Sequence, residues 1–199
     1  MRKRKIKRLQ PAILPRGHIE RYLQLYGNCS DFHRTVCAGI LLIETFYRPL
    51  HYRLAEYCIT LGSCVYSLIL KKPVKSYTIG IGQVGIARIL NCSGYMTDPR
   101  QRHICIDSPK QLMCVLSSFR HSKMTKIVEQ YVSQLITCAQ KAFPYDIDEQ
   151  IQYIGELYNG RYSYGLLLVE VFHYLLNYER NDALLAKKNA MHETCLFGK

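Results

Sequence analysis

The sequence lacks a long uninterrupted apolar stretch. Its longest run of apolar or small residues covers residues 36–43, only eight positions, whereas a membrane-spanning helix needs about 20. We therefore expect no transmembrane segment. We also expect no secretory signal of the Sec type, because the basic start of such a signal is followed by an apolar segment. Here Pro11, Pro15 and Arg16 interrupt that segment.

The nine cysteines lack the spacing of a metal or redox site. No Cys-x-x-Cys pair occurs, and His33, His51 and His121 have no metal-ligand spacing around them, so we expect no metal ion and no cofactor. Several cysteines lie within apolar stretches, where cysteine behaves as a small hydrophobic residue. The simplest interpretation is reduced thiols in a protein made in the cytosol, with disulfides as the alternative if the protein acts outside it.

Acidic residues are scarce, above all at the start of the chain. The sequence has 15 Asp and Glu against 27 Lys and Arg, a net charge of +12, and residues 1–16 hold seven basic residues and no acidic one. We interpret residues 1–16 as a basic N-terminal arm. Such an arm is either a solvated tail or a means of attraction to a polyanion, namely nucleic acid, anionic lipid or an anionic cell wall.

The remaining composition is that of a folded domain. Of the 199 residues, 48% are hydrophobic and 21% are charged, which is typical of a globular chain. Apolar residues recur with helical spacing over most of the chain, whereas residues 74–84 are rich in glycine and β-branched residues. We predict a mainly α single domain with a small β-like or extended loop region in the middle. The predicted helices cover approximately residues 18–26, 31–47, 52–70, 86–91, 109–119, 124–143, 146–159 and 163–185, followed by a C-terminal tail over residues 188–199.

Glu44 is the first candidate catalytic residue. It directly follows the apolar stretch 36–43 on a helix that must be buried. A buried carboxylate is costly unless it is paired, protonated or functional. Burial raises the pKa of a carboxyl group, which is the property that a general acid needs near neutral pH. The alternative is that Glu44 marks the end of the helix and pairs with Arg48 at position i+4.

Two further segments carry candidate binding residues. Residues 77–85 read Tyr-Thr-Ile-Gly-Ile-Gly-Gln-Val-Gly, and glycines at such spacing let the backbone approach a large ligand closely. The Gly-x-Gly-x-x-Gly spacing within it lacks the βαβ context of a dinucleotide site, and no Gly-Lys-Ser/Thr follows, so we do not expect nucleotide binding. The second segment is Tyr158-Asn159-Gly160 at a helix end, where Asn and Gly are also an ordinary helix stop.

In this order the three segments resemble the motifs of the soluble lytic transglycosylase and goose-type lysozyme superfamily. The first motif of that superfamily, a Glu-Ser-like pair ending an apolar helix, reads Glu44-Thr45 here. Its Ser-x-Gly-x-x-Gln-Val/Ile loop reads Thr-Ile-Gly-Ile-Gly-Gln-Val over residues 78–84, and its Ala-Tyr-Asn-Gly-like element reads Leu-Tyr-Asn-Gly over residues 157–160. The matched stretch covers about residues 36–175.

The resemblance implies a lysozyme-like helical catalytic domain over residues 17–187 that cleaves peptidoglycan at the β-1,4 bond between N-acetylmuramic acid and N-acetylglucosamine. It implies that Glu44 is the single general acid and base. It also implies no cofactor and a set of substrate-binding residues, which are Thr78, Ile79, Gly80, Gln83, Tyr158 and Asn159. Glu56 is the alternative as a second carboxylate in the cleft.

Peptidoglycan lies outside the cytoplasmic membrane, so the resemblance also implies export. The implied partners are glycan strands, a secretion apparatus and a cognate immunity or inhibitor protein, as for an injected antibacterial effector; release with a phage is the other route. Two alternatives compete with this interpretation. One is an inactive lysozyme-like interaction protein. The other is a non-enzymatic helical module that binds nucleic acid through the arm and a basic cluster comprising Arg100, Arg102, His103, Lys110, Arg120, His121, Lys123 and Lys126.

Overall fold

The computed structural model describes residues 14–47, 50–79, 82–99 and 101–197. Over these residues the chain is mainly helical with four two-residue strands, which confirms the predicted mainly α fold with a small β region. In chain order the elements are α1 (Arg16–Leu25), α2 (Asp31–Tyr47), α3 (Leu50–Leu70), β1 (Val74–Lys75), β2 (Thr78–Ile79), β3 (Val84–Gly85), α4 (Ile86–Cys92), β4 (His103–Ile104), α5 (Pro109–Ser117), α6 (His121–Ala142), α7 (Ile147–Asn159) and α8 (Tyr162–Phe197).

The two ends of the chain differ from the sequence prediction. Residues 1–13 of the basic arm lie outside the described residues. Arg16, the last basic residue assigned to the arm, instead begins α1 and forms ion pairs with Glu20 at 2.9 Å and Asp182 at 2.6 Å. At the other end, α8 continues to Phe197 rather than ending near residue 185. The added turns include two Ala and two Lys residues, which favour helix even where the apolar spacing is weak.

Helix α2 is the centre of the core. Residues 36–43 are almost completely buried, and the helix packs against α1, α6 and α8. A helix that is apolar nearly all round has to be enclosed in this way. Gly39 marks the closest approach to α8, because an added Cβ would lie 3.1 Å from a side-chain carbon of Leu168. The end of α2, which carries Glu44, is thereby placed inside the domain.

The β-like region consists of two small antiparallel ribbons. Strand β1 pairs with β4, with Val74 opposite Ile104. Strands β2 and β3 form a hairpin in which Thr78 lies opposite Gly85 and Ile79 opposite Val84. A small β-like or extended region was expected over residues 74–84, and the hairpin lies almost entirely within it. Strand β4 was not expected, because it lies in a stretch that the sequence pattern left irregular and its two residues are ordered by pairing with β1.

Helices α7 and α8 cross in close contact. Asp146 caps α7 by accepting a hydrogen bond from the Glu149 amide at 2.9 Å. The helix ends at Gly160, whose φ of 78° is in the left-handed region that favours glycine. Two glycines meet at the crossing: an added Cβ at Gly155 would lie 2.7 Å from the Gly165 Cα, and one at Gly165 would clash with the Gln152 carbonyl oxygen. The close approach of the backbones therefore requires glycine at both positions.

We expect Gly165→Ala to lower the free energy of unfolding by about 1–3 kcal/mol, because an overpacked helix crossing has to shift. The measurement is chemical denaturation followed by circular dichroism. The matched control is Gly62→Ala on α3, where an added Cβ meets nothing within 4 Å and the higher helix propensity of alanine should raise stability by about 0.5–1 kcal/mol. Equal effects of the two substitutions would contradict the tight crossing.

Helix α3 differs from the other long helices in what it exposes. The 18 residues Arg53–Leu70 have a mean hydropathy of 1.2, and only 17% of this window is buried inside the protein. By length and composition alone this helix is long and apolar enough to cross a membrane. The expectation of no such segment relied on uninterrupted apolar runs, and it missed α3 because Thr60, Ser63 and Ser67 interrupt the apolar residues.

Candidate functional site

Glu44 lies near the C-terminal end of α2 and is 3% exposed. Side chains of α3 and α1 contact the last turn of this helix. The Arg53 guanidinium of α3 donates to the carbonyl oxygens of Glu44 at 2.8 Å and Thr45 at 2.6 Å. The Thr45 hydroxyl lies 2.9 Å from the Tyr22 hydroxyl of α1. Because Arg53 supplies positive charge to a helix C-terminus, α3 fixes the position of Glu44. Arg48, the alternative partner of Glu44, lies outside the described residues.

The β2–β3 hairpin is held together by its own side chains. The Thr78 hydroxyl donates to the Gln83 side-chain oxygen at 3.0 Å. Ile79 and Val84, which face each other in the register, are both buried. Gln83 is itself buried and has a φ of 50°, which a residue other than glycine adopts mainly in tight turns. Gly80, predicted to bind substrate, lies outside the described residues.

Tyr158, in the last turn of α7, connects the hairpin with the helix. Its hydroxyl donates a short hydrogen bond to the Gly82 carbonyl oxygen. An added Cβ at Gly82 would clash with the Val128 side chain and lie 3.2 Å from the Tyr158 hydroxyl. Only glycine therefore lets the hairpin approach Tyr158 so closely. The hydrogen bond joins two of the predicted segments that are 76 residues apart in the chain.

The pKa of Tyr158 is affected by its burial and by the charge of Glu44. Burial raises the pKa of Tyr158 well above its usual value, and the negative charge of Glu44 raises it further. The Tyr158 hydroxyl thus stays neutral and remains a hydrogen-bond donor. The hydrogen bond from Tyr158 to Gly82 joins the hairpin to α7. The influence of the Glu44 charge on Tyr158 indicates that Glu44 lies in the neighbourhood of that hydroxyl.

Arg88 is a residue of this site that the sequence analysis missed. It lies on α4, directly after the hairpin, and its guanidinium donates to the carbonyl oxygens of Tyr158 at 3.1 Å and Leu157 at 3.4 Å. It also lies 4.3 Å from the centre of the Tyr131 ring, whose hydroxyl donates to the same Leu157 oxygen. The one signal in the sequence was a cation within the otherwise apolar helix that follows the glycine loop.

Asn159 occupies a different environment from Tyr158. It is exposed at the last position of α7, just before the left-handed Gly160, whose amide donates to the Glu156 carbonyl oxygen at 2.6 Å. The interpretation of Asn159 and Gly160 as a helix stop is confirmed. Glu56, the alternative second carboxylate, is half-buried on α3.

We expect Tyr158→Phe to lower the free energy of unfolding by about 1–3 kcal/mol, because the Gly82 carbonyl loses its buried donor. Since the folded state raises the pKa of Tyr158, the wild type should also lose stability as the pH rises above about 10, and the variant should lose it less steeply. Urea denaturation at several pH values tests both effects. Tyr162→Phe is the control, because Tyr162 is 63% exposed and its substitution should change stability by less than about 0.5 kcal/mol.

The other candidate features of the sequence are the metal-ligand residue types, the basic cluster and the cysteines. Within the described ranges, no group of three or more His, Cys, Asp or Glu side chains is arranged to hold a metal ion. In the basic cluster, Arg100 lies outside the described residues, and Lys123 donates to the Ser117 hydroxyl at 2.6 Å. Burial and the neighbouring Arg21 lower the pKa of His121, which disfavours its cationic form. The eight cysteines that the structure describes are free thiols.

Comparisons of the chain with protein-family models, with curated proteins and with solved structures found no match. The chemistry of this site therefore has to be argued from its own residues.

Proposed function

We propose that this protein cleaves the glycan strands of peptidoglycan, as a lytic transglycosylase or a lysozyme, with Glu44 as its single general acid and base. The observation that supports this most is the buried carboxyl group of Glu44 near the end of an apolar helix, together with the hydrogen bond that joins Tyr158 to the Thr78–Gln83 hairpin. A carboxyl group in an apolar setting beside a neutral hydroxyl is suited to donating and then accepting a proton.

The proposed reaction needs one carboxyl group. Glu44, protonated, donates its proton to the glycosidic oxygen as the bond from C1 to that oxygen breaks. The N-acetyl group of the substrate stabilises the positive charge that develops at C1, as in other substrate-assisted glycosidases. The Glu44 carboxylate then accepts the proton of the C6 hydroxyl, whose oxygen bonds to C1 and gives a 1,6-anhydro product. If water attacks C1 instead, Glu44 accepts a proton from that water and the product has a reducing end.

The remaining residues of the site position these groups. The hydroxyl of Tyr158 is bonded to Gly82 and the side chain of Ile79 is buried, so we assign both to holding the hairpin in place. Thr78 and Gln83 stabilise the same hairpin through their mutual hydrogen bond. Asn159, which directly follows Tyr158 and is exposed, is the residue we assign to a contact with the sugar. Because Glu44 is 3% exposed, substrate binding has to uncover its carboxyl group.

The test is a digest of purified peptidoglycan sacculi with the wild type and with Glu44→Gln, followed by mass spectrometry of the soluble fragments. Anhydro-muropeptides from the wild type alone would support a lytic transglycosylase, and reducing-end muropeptides from the wild type alone would support a lysozyme. If neither protein releases fragments, the enzymatic proposal fails. Binding to DNA and RNA across a salt series then tests the nucleic-acid alternative.

The proposed substrate also determines where the protein acts. Peptidoglycan lies beyond the cytoplasmic membrane, so the protein would be made in the cytoplasm and would act in the periplasm or cell wall after export or injection. An antibacterial effector with a cognate immunity protein, carried by a secretion apparatus, fits this requirement. The positive net charge of +12 suits an anionic wall polymer.

A further inference from the structure

Helix α3 has its polarity reversed relative to an ordinary surface helix. A surface helix normally buries its apolar stripe and exposes its polar face. Over residues 53–70 of α3 the buried positions are Thr60, Cys64 and Ser67, each 0% exposed. Over residues 54–70 the exposed positions, which form the outward face of the helix, are all apolar or small: Leu54, Ala55, Cys58, Ile59, Leu61, Gly62, Val65, Tyr66, Ile69 and Leu70.

The inward face of α3 is bonded into the fold. The Ser67 hydroxyl donates to the Lys72 carbonyl oxygen at 2.8 Å and accepts from the Ile106 amide at 2.9 Å. Tyr57 packs on Phe119 of the segment after α5, with ring centres 4.9 Å apart. Crossing a bilayer would break these contacts and expose Thr60 and Ser67 to lipid. The helix can therefore present its outward face to a membrane surface without leaving the domain.

Positive charge lies beside this apolar face. Lys71 and Lys72 directly follow α3 and Lys75 ends β1, and all three are exposed. Lys75 lines a groove of about 500 Å³ together with Ile59 and Tyr66. Between residues 51 and 79 the sequence contains one acidic residue, Glu56, and it is half-buried. The Lys71 ammonium donates to the backbone carbonyl oxygen of the exposed Asp107 at 2.9 Å, so three lysines accompany one exposed acidic residue at this end of the helix. An apolar helical face bordered by this excess of positive charge is complementary to anionic lipid.

We propose that the outward face of α3 docks on an anionic lipid bilayer, with the helix lying in the plane of the interface. Ile59, Val65 and Ile69 enter the boundary between headgroups and acyl chains. Tyr66 takes the position that tyrosine favours at this boundary, and the lysines at the end of α3 contact the headgroups. This proposal does not depend on the enzymatic one, since it uses the opposite face of α3 from Arg53.

Vesicle flotation at physiological salt tests the proposal with the full chain. We expect the wild type to float with vesicles of phosphatidylglycerol and phosphatidylcholine, and Ile59→Glu to lower the bound fraction by about tenfold, because a carboxylate enters the apolar face. Ile147→Glu is the matched control: the exposed fractions of Ile59 and Ile147 are 50% and 55%, and both variants gain one negative charge. Ile147→Glu should change binding by less than about twofold, since exposed single apolar residues are common and unremarkable.

A second measurement locates the contact on the unaltered protein. Cys58 lies on the outward face of α3 and Cys138 on α6, and both are exposed. We expect anionic vesicles to slow maleimide labelling of Cys58 at least fivefold and to leave Cys138 unchanged, as read by peptide mass spectrometry. Three results would overturn the proposal: no binding to vesicles, binding by the basic arm with Cys58 still reactive and Ile59→Glu unaffected, or protection of Cys58 without lipid in a dimer detected by sedimentation.

Discussion

Glu44→Gln is expected to lower the rate of glycan-strand cleavage by about 10²–10⁴-fold, the usual contribution of a positioned general acid and base. Glutamine keeps the size of the side chain and its place at the end of α2, but it cannot donate and recover a proton. The rate of release of soluble muropeptides from sacculi measures the effect. Circular dichroism should show the same helical content for both proteins, because the packing of α2 is unchanged.

Glu56→Gln is the informative comparison for this experiment. Glu56, half-buried on α3, is the second carboxylate that the sequence offered as an alternative. If Glu44 acts alone, Glu56→Gln should retain activity to within a few fold. A loss as large as that of Glu44→Gln would indicate two cooperating carboxyl groups, and full activity of Glu44→Gln would contradict the assignment of Glu44.

Arg88→Met is expected to lower the free energy of unfolding by about 2–4 kcal/mol. The guanidinium makes two hydrogen bonds to the carbonyl oxygens at the end of α7 and lies over the Tyr131 ring, and both kinds of contact are stronger for a charged donor. Methionine keeps much of the apolar stem, so the loss reports the guanidinium. Guanidinium chloride denaturation measures it.

Two further variants make this result specific. Arg88→Lys keeps the charge but lacks the planar fork that reaches two oxygens at once, so it should recover less than half of the loss. Arg102→Met removes the same side chain from an exposed position and should cost less than about 0.5 kcal/mol. Equal stability of the Arg88→Met and Arg102→Met variants would show that Arg88 does not hold the end of α7.

The membrane and enzymatic proposals meet at α3. Its inward residue Arg53 holds the end of α2 that carries Glu44, while its outward residues such as Ile59 and Ile69 are exposed. Docking of this helix on a bilayer would place the Glu44 site close to the membrane surface. The two proposals nevertheless fail separately, since vesicle binding needs no activity and cleavage of purified sacculi needs no lipid.

The sequence by itself determined the elements whose signals are local. Apolar spacing predicted most helices, and end signals placed several of their boundaries. Pro109 opens α5 after Ser108, whose hydroxyl accepts from the Gln111 amide, and Asp146 and Gly160 bound α7. These signals act within one or two turns, so a single stretch of sequence contains the whole cause. The burial of Glu44 was also predictable, because the eight residues before it leave α2 no polar face.

Only the tertiary structure decided which groups meet and which face of a helix is covered. The hydrogen bond from Tyr158 to Gly82 and those from Arg88 to the end of α7 join residues about 70 positions apart, and no local pattern encodes such a pairing. The orientation of α3 is the clearest case. Its sequence contains an apolar face and a polar face, and periodicity predicts that the apolar one is buried. The fully buried positions are instead Thr60, Cys64 and Ser67, and Ser67 finds hydrogen-bond partners at Lys72 and Ile106, which only the folded chain brings together.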